Sequence, residues 1–154
     1  MGLRIVADFD ELKSLIGQEI GVGNWLEVTQ KLIDSFAELT QDPQWIHIDP
    51  VRAQLESPYG TTVVHGFLTV SLLSCLHRDL IEIRGEYTRS INYGFNRLRF
   101  PAAVPAGSRI RLRSKLQAAE EIEGGLQCIW NVTVEIEGQP KPALVAEWIG
   151  RLYR

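Results

Sequence analysis

The stretch Phe36–Leu73, FAELTQDPQWIHIDPVRAQLESPYGTTVVHGFLTVSLL, sets a carboxylate and an imidazole on one short loop and then enters the longest uncharged apolar run of the chain. Asp42 and His47 are separated by Pro43, Gln44, Trp45 and Ile46. Pro43 bars helix continuation and drives Asp42 toward extended backbone, so the pair lies on a bend. A carboxylate and an imidazole converging on one point can hold a single water and move its protons, which is general acid and base work. By spacing alone, Asp42 also reads as a turn residue and His47 as a histidine beside the next helix.

The residues downstream narrow the choice. Asp49-Pro50 is a helix start, with its cap and its first-turn proline, and His65-Gly66 opens a second, apolar helix. The order of an aromatic (Phe36), a helix end, Asp42, His47 and a downstream His65-Gly66 resembles the MaoC-like family of (R)-specific enoyl-CoA hydratases and dehydratases. The family pattern is G-D-x-N-P-x-H followed by H-G. Here Gln41, Gln44 and Trp45 replace its Gly, Asn and Pro, while both ionisable residues are kept. The wording Gln44 to His47, then Asp49-Pro50, and the later INYGFNRLRFP from Ile91 to Pro101 resemble the subgroup typified by nodulation protein N. The resemblance runs from about Gly23 to the end of the chain.

This resemblance implies an α+β hot-dog fold, one antiparallel sheet wrapped around a long central helix, as a single domain over residues 1–154. It implies reversible addition of water to a trans-2-enoyl-CoA, giving an (R)-3-hydroxyacyl-CoA in fatty acid metabolism, with no cofactor. Asp42 and His47 would be catalytic. Gly66, Ser74, Asn92, Asn96 and Arg99 would bind the acyl thioester, the Gly66 amide at a helix N-terminus facing the thioester oxygen. Ser74 also reads as a small buried residue bonding back to the preceding turn. Arg97, Arg99 and Lys141 are candidates for CoA phosphates. A hot-dog acyl-CoA thioesterase, a dehydratase acting on carrier-protein thioesters and a non-catalytic acyl-thioester binding module remain as alternatives. An open sheet edge, which the family covers by pairing subunits, implies a homodimer.

Composition bounds the rest. A chain of 154 residues with net charge −3 and pI near 5.6 has no basic field for nucleic acid. No run approaches the roughly twenty apolar residues of a membrane span, and the N-terminus lacks a signal-peptide core, so a cytoplasmic location is expected. Two cysteines, Cys75 and Cys128, are expected as reduced core residues. With three histidines and no C-x-x-C or H-E-x-x-H, no metal is expected, and His77 reads as a surface residue at a helix end.

Along the chain, residues 8–17 read as a short helix capped by Asp8 or Asp10, and residues 25–28 as a short strand. Residues 30–40 read as a helix capped by Thr29, residues 50–55 as a short helix, and residues 66–80 as a helix apolar nearly all round. The segments 88–100, 108–119, 125–137 and 142–153 read as antiparallel strands between Gly/Pro turns. Strict alternation in the first of these puts Asn92, Gly94 and Asn96 on one face, either as a half-exposed strand or as a cleft wall.

Overall fold

A computed structural model describes residues 2–85 and 87–154. The four strands read in the second half are present as β5 (Arg89–Arg99), β6 (Arg109–Ile122), β7 (Gly125–Ile136) and β8 (Leu144–Tyr153), following three short N-terminal strands and β4 (Ile81–Ile83). Of the N-terminal strands, β1 (Arg4–Val6) pairs in parallel with β4, while β2 (Glu19–Val22) and β3 (Leu26–Glu27) both pair with β6. The main sheet is antiparallel in the order β2-β6-β7-β8-β5, which leaves β5 as an edge. Alternation along β7 sends Leu126, Cys128, Trp130, Val132, Val134 and Ile136 to the buried face, as a sheet with one covered side requires.

The covering element is the apolar run, present as α5 (Gly66–Ser71) and α6 (Leu73–Arg78). The ladder continues across Leu72, whose amide donates to Leu68 O at 3.0 Å and whose carbonyl accepts from Leu76 at 2.9 Å, so the two segments act as one central helix. Leu68, Leu73 and Leu76 are buried against the sheet, each contributing on the order of 1.5–3 kcal/mol. The sheet does not enclose the helix. Phe67 is 71% exposed, and Ser71, Cys75 and Arg78 continue the same open stripe at helical spacing. Cys75 is therefore an exposed thiol, against the expectation of a core residue, whereas Cys128 is buried and its thiol pKa is pushed up to about 12 by desolvation.

The helices before it form as expected from their caps. Asp8 accepts from Glu11 N at the start of α1 (Phe9–Ser14), Thr29 from Leu32 N at the start of α2 (Gln30–Thr40), and Asp49 from Arg52 N at the start of α4 (Pro50–Glu56). One turn, α3 (Trp45–Ile48), lacks a side-chain cap and carries no such signal in the sequence.

Strand β5 departs from strict alternation. Register slips against β8 between Asn92 and Gly94 and between Phe95 and Arg97 make Tyr93 and Asn96 the extra residues of two bulges. Asn92 therefore faces the helix, where its Nδ2 donates to Ser74 Oγ at 3.2 Å, while Asn96 is exposed and does not share its face. Phe95 and Leu98, each one bulge further along, pack on the core.

Candidate active site

The site begins where α2 stops. Gln41 adopts a left-handed conformation (φ 55°), the one non-glycine described residue with positive φ, and this reverses the chain so that Asp42 N returns to Ala37 O at 3.0 Å. The family pattern has a glycine at this place, and the backbone shows why: a Cβ at this φ costs about 1 kcal/mol or more. Pro43 prevents resumption of the helix, and the single turn of α3 lifts His47 back toward Asp42.

His47 is held by hydrogen bonds on two sides. Its carbonyl accepts from Gln30 Nε2 at 2.7 Å, and Gln30 Oε1 accepts in turn from the buried Thr62 hydroxyl. Its ring Nδ1 lies 2.6 Å from Val63 O. A carbonyl can only accept, so Nδ1 carries the proton and Nε2 is left as the free lone pair. Segment 62–64 is itself fixed: Val63 N donates to Ile46 O, Val64 N to Val104 O, and Ala106 N to Thr62 O. Burial holds the His47 imidazole below the usual histidine value; the Val63 bond opposes this, the neighbouring His65 adds to it, and Asp42 opposes it.

His65 closes the site from behind. It is 3% exposed, its ring stacks on that of His47 at 3.7 Å between centroids and 25° between planes, and the Phe36 ring lies 5.2 Å away. Its Nε2 donates to the main-chain oxygen of Asp42 at 3.1 Å and lies 3.9 Å from the carboxylate, leaving a buried Nδ1 with no partner. In the sequence His65 stands out only as part of the H-G pair, and Gln30 not at all. A histidine one residue before a helix start was the available signal for the first; Gln30 gave none, because its bonds to His47 and Thr62 are remote in sequence.

One oxygen or nitrogen from each of Asp42, His47 and His65 lies within 4.8 Å of the others. Such a set invites comparison with a metal site, but His65 donates from Nε2 to Asp42 O, so its lone pair is on its other ring nitrogen, the buried Nδ1, and not beside the Asp42 carboxylate. The arrangement suits a water held between Asp42, which is 55% exposed on its side chain, and His47 Nε2.

Gly66 follows at the first position of α5. A Cβ here would meet the Phe100 ring at 3.2 Å, so glycine lets that ring lie on the helix start beside the dyad. Ser74 and Asn92 are joined to each other about 12 Å further along the helix, at 1.5 Å per residue. Asn96 and Arg99 are exposed, and Arg99 donates to Leu98 O; neither is gathered at the dyad. His77 is not a surface residue: it is half-buried, edge-on to Trp130 (4.6 Å) and Trp148 (5.3 Å), and desolvation pushes its pKa down to about 4. No helix among the described residues is long and apolar enough to cross a membrane.

Residues 11–136 match the model of the MaoC-like domain family. The chain is 43% identical over 150 residues to 3-hydroxyacyl-thioester dehydratase Z of Mycobacterium tuberculosis, covering 97% of this chain and 98% of that one. It is 45% identical over 140 residues to nodulation protein N of Rhizobium meliloti, covering 90% and 87%. Among solved structures, the (R)-hydratase from A. caviae involved in PHA biosynthesis superposes with a TM-score of 0.71 at 23% identity, over 88% of this chain and 94% of that one.

Proposed function

Because the chain belongs to the MaoC-like dehydratase family, we propose that it is an (R)-specific enoyl-CoA hydratase, a hydro-lyase that reversibly adds water to a trans-2-enoyl-CoA. The observation that carries this reading is the His47 ring: Nδ1 is committed to Val63 O, so Nε2 faces the Asp42 carboxylate as an unprotonated base at neutral pH. Asp42 accepts a hydrogen bond from the hydrogen that stays on the new hydroxyl, while His47 Nε2 takes the other proton of the water as the oxygen bonds to carbon 3. The electron pair of the double bond moves to the thioester oxygen, where the Gly66 amide meets the developing charge. The proton taken from water then returns to carbon 2 through the dyad, closing a cycle that needs no nucleophile of the protein.

Thioester hydrolysis would require water aimed at the carbonyl carbon. The Gly66 amide serves either reaction, but the Asp42–His47 pair is suited to exchanging protons, which addition and elimination both need. With crotonyl-CoA, absorbance of the conjugated thioester should fall without release of free thiol. From (R)-3-hydroxybutyryl-CoA it should rise, with the (S) isomer inert. Stoichiometric thiol release with the double bond intact would move the protein to the thioesterases.

The working unit in this reading is a homodimer. Edge strand β5 carries the exposed apolar side chains Ile91 and Tyr93, and pairing two copies along it removes the open edge. Sedimentation at micromolar concentration should return twice the mass of one chain; a monomer that hydrates crotonyl-CoA at full rate would exclude it.

A further inference from the structure

The turn that carries His47 is held from outside itself. Trp45 O accepts from Asp49 N at 2.9 Å and Ile46 O from Val63 N at 3.0 Å. His47 O takes its hydrogen bond from a side chain, the Nε2 of Gln30 at the start of α2, at 2.7 Å. Gln30 is half-buried, and its amide has two further partners: Nε2 donates to Asp34 Oδ1 at 2.7 Å, and Oε1 accepts from the buried Thr62 hydroxyl. The His47 carbonyl and the Asp34 carboxylate can only accept, so the amide cannot be turned over. An ionised carboxylate at position 30 would face the same two oxygens with no hydrogen to give them. Glutamine is therefore the one acid or amide of this length that serves all three partners.

Thr62 is followed in the chain by Val63, whose carbonyl lies 2.6 Å from His47 Nδ1. The His47 carbonyl, the Gln30 amide, the Thr62 hydroxyl, the Val63 carbonyl and the His47 ring therefore form one closed circuit. Such a circuit fixes the separation between the main chain of His47 and the acceptor of its own ring, and with it the nitrogen that carries the proton. The main-chain bonds of segment 62–64 run to Ile46, Val104 and Ala106. Gln30 adds the tie to α2, the helix from whose other end Asp42 departs. We infer that Gln30 is the positioning residue of the His47 base. It acts only through His47: by joining His47 O to Thr62 it keeps Val63 O on Nδ1, and so leaves the Nε2 lone pair free for the water shared with Asp42. Its effect on rate rests on the hydratase reading, whereas its effect on the tautomer does not.

The test replaces Gln30 by Met, similar in length and without hydrogen bonds, and by Glu, similar in shape but unable to donate. In nitrogen-15-labelled protein at neutral pH, the long-range proton–nitrogen correlations of the His47 ring should show the Nδ1–H form in the wild type and a substantial share of the Nε2–H form in both variants. For crotonyl-CoA hydration kcat should fall by about 5- to 10-fold, with KM within about twofold of the wild type, as expected when an aligned base is lost and substrate contacts are kept. The acid limb of the pH–rate profile should also move to lower pH, because the Val63 bond raises the His47 pKa while Asp42 and His65, the ionisable groups beside the ring, stay in place. Thr62→Val opens the same circuit from its other end and should act alike, Thr62→Ser should restore both tautomer and kcat, and Gln30→Met with Thr62→Val should be little worse than either alone. A lower Tm with the Nδ1–H form and kcat both kept would make Gln30 a structural residue and overturn the inference, as would a wild-type ring in the Nε2–H form. Should both Gln30 variants fail to fold, Thr62→Val with its Thr62→Ser rescue decides by the same readouts. Crotonyl-CoA left unchanged by the wild type would end the hydratase reading, and the tautomer comparison then decides the role of Gln30 by itself.

Discussion

His47 and His77 are both held uncharged at neutral pH, yet for different ends. His77 is desolvated among two indoles with nothing to hydrogen-bond its Nε2, and no carboxylate is among its ring contacts. His47 is only partly buried, is oriented by Val63 O, and shares its surroundings with the Asp42 carboxylate and a stacked second imidazole. Burial alone yields an uncharged ring with no partner for its proton chemistry. Burial combined with a fixed tautomer and a neighbouring carboxylate yields a base.

Substitution at the dyad should cost the most. His47→Gln and Asp42→Asn should each lower kcat for crotonyl-CoA hydration by at least ~10²-fold, with the double variant little worse than either. Additive losses would mean two independent groups in place of one dyad. At the His77 end the corresponding effect falls on stability. Its folded pKa of about 4 lies below the ordinary 6.5, so the unfolded chain binds the proton more readily, and stability is lost as pH falls through that window. The loss should reach about 3 kcal/mol by pH 4, and His77→Phe should flatten that part of the curve of unfolding free energy against pH.

His65 probes the same difference between the two rings, since it belongs to the dyad end without touching the water. His65→Phe keeps a ring against His47 but removes the donor to Asp42 O, and kcat should fall by about 10-fold. The same change removes one influence that lowers the His47 pKa, so the acid limb of the pH–rate profile should move up toward the ordinary histidine value. A purely structural role would lower Tm and leave that limb in place. Gln41 should respond most mildly. Gln41→Gly should stabilise the protein by about 0.5–1 kcal/mol in denaturant unfolding, the relief of a left-handed Cβ less the added entropy of the unfolded chain.

Much of this was legible in the chain. Proline, glycine and cap residues marked the ends of α2 and α4, and the spacing of Asp42 from His47 placed both on one bend. What failed to show had physical causes. The bulges at Tyr93 and Asn96 arise from pairing with β8, which alternation within β5 cannot reveal. The burial of His77 depends on Trp130 and Trp148, more than fifty residues away, while its local neighbours Arg78 and Asp79 pointed to solvent. The Gln30 contacts to His47 and Thr62 likewise join segments that only the fold brings together.

In the hydratase reading an unprotonated His47, tuned by burial and fixed by Val63, is the base that activates water. The deciding measurement is kcat/KM for crotonyl-CoA hydration as a function of pH, in the wild type and in His47→Gln. Because protonation of His47 removes the base and its pKa is held below 6.5, the rate should stay level through neutral pH and fall only on a limb below 6.5, a limb missing from the residual activity of the variant. A limb at or above 6.5, or the same limb surviving in His47→Gln, would contradict it.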